Sequence, residues 1–265
     1  NAESGHRHDC RVLRIVKRSI GGNMHSFAKQ APLRKELLEG NTLKQYVRTA
    51  NKLASDKKAI KVYHLGEYKH LLNNPDAWSP HYFGASIEFL CESFFEVFGA
   101  KYNVGNIRST DDYHNAEDDG GVDHYAESLT HKALKGSQNY RRACPMSPVY
   151  IQTKGTTNRT KEFTTNDGSR IPNFMSNAQQ QALQEGHPCT ARYILFTTGK
   201  GMHYKLAKNH GEMVEVINFK EISKSVDGNI VFWNQMRKKA KVALQEYAAP
   251  IDPQAKLNLA TNLAN

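Results

Sequence analysis

Cysteine is scarce in this 265-residue chain: Cys10, Cys91, Cys144 and Cys189 are its four, and no two form a Cys-x-x-Cys pair. That spacing argues against a disulfide framework and for a reducing compartment, so a cytoplasmic protein is expected. The one compact group of metal-ligand types is His6, His8, Asp9 and Cys10. It lacks a second ligand pair at zinc spacing and reads as a polar terminus. No apolar run reaches the length of about eighteen residues that a bilayer-spanning helix needs. The opening Asn1-Ala2-Glu3-Ser4 has neither an initiator Met nor an apolar signal core, as in a processed or truncated chain. A Gly-x-Ser-x-Gly elbow and a Gly-x-x-x-x-Gly-Lys-Ser/Thr loop are both missing, which sets aside that class of serine hydrolase and nucleoside-triphosphate motors.

Acid is the other shortage. The chain carries 36 Lys and Arg against 26 Asp and Glu, a net charge of +10, and the imbalance is local. Residues 1–75 hold 15 basic and 6 acidic side chains, 15 − 6 = +9, whereas residues 76–265 hold 21 and 20, 21 − 20 = +1. Such asymmetry predicts that a polyanion meets the first part of the chain, with a nearly neutral part behind it. An anionic membrane surface would call for a Trp- or Phe-rich amphipathic helix there, and the sequence has none. With 39% apolar and 23% charged residues, the composition is that of a soluble globular protein with a sizeable core.

Turn residues at Asn73-Asn74-Pro75-Asp76 and Ser79-Pro80 mark a boundary. Before it, residues 10–20 read as a basic edge strand or an irregular arm, and Pro32–Glu39 and Leu65–Leu72 as short helices. Thr42–Ala54 is a better helix, with Leu43, Val47, Ala50 and Ala54 on one face and Lys44, Arg48 and Lys52 beside it. With Lys57 and Lys58 just beyond, these cations are candidate contacts to nucleic-acid phosphates, in a basic, mainly helical region spanning residues 1–75. A solvated Lys/Arg face is the alternative. After the boundary, Ile87, Leu90, Cys91, Phe94, Phe95 and Phe98 recur at i, i+3, i+4, i+7, i+8 and i+11, which predicts a core-packed helix over Gly84–Phe98. Glu88, Glu92 and Glu96 run alongside it. Glu88 lies beside the apolar sector, and the other two are expected in solvent.

Strands are predicted at Tyr102–Ile107, Ala191–Thr198 and Val214–Phe219, and helices at Asn173–Glu185, Met202–Asn209 and Phe232–Tyr247. Thr156–Arg170 reads as a loop. Residues 127–147 read as an extended connection whose Arg141 and Arg142 could track a phosphate backbone. This alternation argues for an α/β layer with parallel pairs over residues 76–247, followed by a tail at 248–265.

Within that layer, Pro148-Val-Tyr-Ile-Gln-Thr-Lys154 reads as a buried central strand. Alternation puts Val149, Ile151 and Thr153 on one face and Tyr150, Gln152 and Lys154 on the other. An amide and an ammonium inside a core strand are costly without partners. The acidic run Glu117-Asp118-Asp119, leading through Gly120-Gly121-Val122 to Asp123, is the nearest source of one. Asp123 as principal ligand and Gln152 as a neutral one would hold Mg²⁺, and Lys154 would orient water and stabilise charge on a phosphodiester being cut.

Together, Glu88 on the first core helix, Gly121-Val122-Asp123 and Gln152-Thr153-Lys154 resemble the E…D…(D/E/Q)xK signature of the PD-(D/E)xK nuclease superfamily. The likeness is greatest to its Mrr-type restriction-endonuclease branch and covers roughly residues 80–240; Val122 stands where that signature has proline. The resemblance implies a restriction-endonuclease-like fold, a mixed central sheet flanked by helices, with Glu88, Asp123, Gln152 and Lys154 as catalytic residues. It further implies Glu88, Asp123 and Gln152 as ligands of Mg²⁺, with Mn²⁺ able to substitute, and DNA as substrate. A nicking or double-strand endonuclease of phage or mobile-element type, working in a bacterial or phage-infected cell as monomer or homodimer, is the expected function. The alternatives are a non-catalytic DNA-binding protein on a nuclease scaffold and, third, an RNA-cleaving enzyme.

Overall fold

A computed structural model describes residues 35–56, 75–109, 121–130, 132–134, 141–143, 145–164, 175, 176, 178, 180, 191–210 and 214–248. The terminal cluster of His6, His8 and Cys10, the basic arm, Lys57, Lys58, the helix expected at Leu65–Leu72 and the tail lie outside these residues.

In chain order the strands are β1 (Gly105–Ser109), β2 (His124–Glu127), β3 (Lys132–Leu134), β4 (Arg141–Ala143), β5 (Pro148–Lys154), β6 (Glu162–Phe163), β7 (Arg192–Thr197), β8 (Gly201–Met202) and β9 (Val214–Ile217). The helices are α1 (Leu43–Ala54), α2 (Pro75–Phe98), α3 (Tyr204–His210), α4 (Phe219–Val226) and α5 (Ile230–Ala248), with 3₁₀ turns at Lys35–Leu38 and Gly99–Tyr102.

Five strands form the central sheet in the order β1-β2-β5-β7-β9. β1, β2 and β5 run antiparallel, and β5, β7 and β9 run parallel, which makes the sheet mixed. β5 is central and reads as a near-continuous apolar run because both its faces are covered. Val149 and Ile151 join Ile194, Phe196 and Ile217 in a cluster with α2, α4 and α5. Tyr150 joins Tyr193, Leu195, Val214 and Leu206 in a second cluster on the opposite face. The pleat therefore sorts the side chains as the sequence pattern requires.

Helix α1 is packed by its apolar face. Leu43, Tyr46, Val47, Ala50, Leu53 and Ala54 are buried in the same cluster as Ile87 and Phe196. The Tyr46 hydroxyl donates to the Ser86 carbonyl at 2.6 Å, and its ring lies 6.0 Å from that of Trp233. The C-terminal half of the chain caps this helix: the Leu43 N–H donates to Asp227 Oδ1 at 2.7 Å, and Arg237 donates to the carbonyls of Leu38 and Gly40.

Several expected boundaries move. The first core helix begins at Pro75 rather than Gly84, so Ser79-Pro80 is helical backbone and not a break. The expected strand at Tyr102–Ile107 is displaced to Gly105–Ser109, because the 3₁₀ turn ends at Asn103 in the left-handed region at φ 56°. Residues 127–147 contain the β3–β4 hairpin, and the expected loop at Thr156–Arg170 contains β6. The expected strand through Phe219 stops at Ile217, since Asn218 and Glu221 form a reciprocal capping box that starts α4.

One close approach sets the height of α2 over the sheet. A Cβ on Gly155, the residue after β5, would fall 2.7 Å from Ile87 Cγ1 and 2.7 Å from Phe83 Cε1. Gly155→Val is expected to cost about 1–3 kcal/mol through overpacking, read as a lowered urea midpoint. An unchanged midpoint would show that helix and strand separate freely at this point.

Candidate active site

Three segments converge at the C-terminal end of β5. The first is the start of β2. The register pairs His124 with Ile151, and the Asp123 N–H extends it by donating to the Ile151 carbonyl at 2.9 Å. Beyond this the ladder ends. The Thr153 N–H points toward β2, as the Ile151 carbonyl does, and a side chain takes the place of the missing strand. Asp123 Oδ2 accepts from the Thr153 N–H and also from its hydroxyl, the latter at 2.9 Å. This pair of hydrogen bonds from Thr153 fixes the carboxylate beside the Gln152-Thr153-Lys154 stretch.

The second segment is α2. Its Phe83–Ile87 turn lies against Gly155, and Glu88 follows directly; Glu88 Oε1 lies 3.9 Å from where a Cβ on Gly84 would stand. Glu88 and Asp123 act on a common neighbour, the buried Cys91. Burial pushes that thiol well up, and the charges of Asp123, Glu92 and Glu88 push it further, with Lys239 acting in the opposite sense. Both carboxylates are therefore near enough for their charge to be felt at one buried sulfur.

The third segment is β5 itself. Gln152 is 1% exposed, and neither Oε1 nor Nε2 has a hydrogen-bond partner among the described residues. A buried polar group left in that state costs about 1–3 kcal/mol, which makes the amide a candidate ligand. Lys154 lies two residues on along the same face, about 7 Å away by strand rise, and is part-exposed at the rim. Its carbonyl accepts from the Thr198 N–H at 3.2 Å and the Thr197 hydroxyl at 2.8 Å, which anchors the end of the strand.

Among the described residues, no group of three or more His, Cys, Asp or Glu is placed to hold a metal ion. Two carboxylates and an amide are a different donor set. It suits a hard cation such as Mg²⁺, which retains waters and takes only one or two carboxylates. The unpartnered Gln152 oxygen is the donor that such an ion would use.

The glutamates of α2 part company. Glu92 is buried rather than solvated, because Lys239 of α5 reaches it at 2.7 Å; the same ammonium bonds Glu96 at 2.6 Å. Both are therefore tied to α5. Lys44, Arg48 and Lys52 are exposed at four-residue spacing along α1. Arg141 and Arg142 belong to β4 of the separate β3–β4 hairpin. Sequence reading missed Thr153, which holds Asp123, Cys91, whose buried thiol feels both acids, and His124, which is fully buried opposite Ile151. A polar residue at the middle position of Gln-x-Lys was the available signal for Thr153.

No family model matches the chain, and no curated protein matches it. One solved structure that does is the MspJI restriction endonuclease in complex with a 27-mer oligonucleotide, at 17% identity and a TM-score of 0.33. The alignment covers 62% of this chain and 33% of that one, so the chain spans about a third of the length of the structure it matches.

Proposed function

We propose that the protein is a metal-dependent endonuclease that hydrolyses DNA phosphodiester bonds. The observation that supports the reading is the buried Gln152 amide, without a hydrogen-bond partner among the described residues, on the same strand end as the Thr153 that holds Asp123 and the part-exposed Lys154. Asp123, Glu88 and Gln152 would hold Mg²⁺, or Mn²⁺ in its place. When bound, such an ion supplies Lewis-acid polarisation of the phosphate and acidifies water. The chain's own residues do the rest. Thr153 holds the Asp123 carboxylate through its N–H and hydroxyl. Lys154 presents three donors at the rim, orients water toward phosphorus and offsets charge on the phosphate oxygens as the P–O bond breaks.

A basic region over residues 1–75 would bring the DNA to a nuclease unit at 76–247, with Lys44, Arg48, Lys52, Lys57 and Lys58 on phosphates and Arg141 and Arg142 of the hairpin near the cut. Supercoiled plasmid incubated with the protein and Mg²⁺ is expected to convert to open-circular or linear form, and EDTA to stop it. Plasmid that stays supercoiled in both Mg²⁺ and Mn²⁺ would overturn the reading.

A second reading, a DNA-binding protein on a catalytically silent scaffold, is favoured by the lack of a third acidic ligand among the described residues. Metal titration separates the two. Gln152→Glu adds charge to the donor set and is expected to tighten Mn²⁺ binding by about tenfold, since ligand charge governs affinity for hard cations. A silent scaffold would give no calorimetric signal with Mn²⁺ in either protein.

A further inference from the structure

We infer that the two loops beyond the C-terminal ends of β5 and β7 form a preorganised track for the phosphate backbone of duplex DNA, contacted by Arg159, Lys200 and Lys205. The choice of DNA rests on the nuclease reading; the surface on which it lies is the addition.

The loops, residues 155–164 and 198–205, are zipped together. The Thr156 N–H donates to Thr198 Oγ1 at 2.7 Å, and that hydroxyl returns a bond to the Thr156 carbonyl at 2.8 Å. The Lys200 N–H donates to the Lys161 carbonyl at 2.8 Å and the His203 N–H to the Phe163 carbonyl at 2.9 Å, around the parallel β6–β8 pair. A Cβ on Gly199 would stand 2.8 Å from the Lys161 oxygen, so the backbones approach as closely as glycine allows. The Phe219 N–H of α4 closes the assembly on the Gly199 carbonyl at 3.1 Å. Long polar loops held this firmly carry little ordering cost into a complex.

Their charge is one-sided. Residues 155–164 and 198–210 carry Arg159, Lys161, Lys200, Lys205 and Lys208 against a single carboxylate, Glu162. That carboxylate is ion-paired with Lys200 at 2.6 Å, and Lys200 remains largely exposed. Arg159 is exposed and held with its guanidinium 5.3 Å from the Phe219 ring centroid. Lys205 is exposed at the start of α3. The track begins at the Lys154 carbonyl, which bonds Thr197 and Thr198, so a backbone lying along it passes the candidate cutting site.

The test is a salt series of DNA binding by fluorescence anisotropy, with the full chain in EDTA so that nothing is cut. The variant R159Q/K200Q/K205Q removes three exposed charges. A surface control, K224Q/K238Q/K241Q, removes three from α4 and α5. Loss of three phosphate contacts is expected to flatten the slope of log K against log salt by about 2.7 and to weaken binding at least about tenfold at about 0.1 M salt. The control is expected to stay within about twofold of wild type. An unchanged slope in the loop variant, an equal loss in the control, or stronger competition by RNA duplex than by DNA duplex would overturn the inference. Cleavage with an unchanged slope removes the track alone. A flattened slope in a protein that cuts no plasmid keeps the track and removes the nuclease reading.

Discussion

Asp123→Ala and Lys154→Ala are each expected to reduce Mg²⁺-dependent plasmid cleavage by about a thousandfold or more, since on the proposed reading each removes a charge from the place where the reaction would develop its own. The two losses have different side effects, and these make the test sharp. Asp123 Oδ2 accepts from both the N–H and the hydroxyl of Thr153. Its removal also strands a backbone donor at the end of the ladder, at about 1–3 kcal/mol. Asp123→Asn keeps an acceptor oxygen in that position while discarding the charge. It should melt within a few degrees of wild type and still fail to cut. Lys154 sits at the rim with its backbone anchored independently through Thr197 and Thr198, so Lys154→Ala should fold normally and bind DNA. Cleavage at wild-type rate in Asp123→Asn and Lys154→Ala would dismiss the assignment of both residues.

Arg192→Ala is expected to destabilise the fold by about 2–4 kcal/mol, the cost of removing a buried guanidinium from the half-buried carboxylate and the backbone carbonyls it bonds. The side chain is fully buried at the start of β7. Its Nε and Nη2 bond the two oxygens of Glu215 at 2.8 and 3.1 Å; Nη2 also donates to the Tyr102 carbonyl at 3.0 Å. Nη1 donates to the Asn103 carbonyl at 2.6 Å and to Ser128 Oγ at 3.3 Å. One guanidinium thus joins β9, the turn before β1 and the end of β2. Its loss would strip the carbonyls of Tyr102 and Asn103 of a donor and take the bidentate pair from Glu215. Urea denaturation followed by circular dichroism measures the effect, and a loss below about 1 kcal/mol would show that water replaces the guanidinium without penalty.

The strand that organises the protein was legible because the pleat leaves a period of two: Val149 and Ile151 go to one core cluster and Tyr150 to the other. The capping pair Asn218 and Glu221 was equally present in the sequence. It was masked by Phe219, which prolongs the apolar pattern of β9. Pro80 misled for a physical reason, since proline disfavours helix in the residue before it and removes a donor, yet α2 runs through it. The partners in the site were less legible. That Glu92 would be tied to Lys239, or Asp123 to Thr153, depends on which helix crosses which strand, and no local pattern carries that information.

The capping of α1 by Asp227 has a consequence for how the chain is made. The bond spans 184 residues, and Trp233 and Arg237 complete the same seat. During vectorial synthesis the helix leaves the ribosome long before its acceptor exists. Its apolar side, Leu43, Tyr46, Val47 and Leu53, must wait in the nascent chain while the 184 residues up to that acceptor are made.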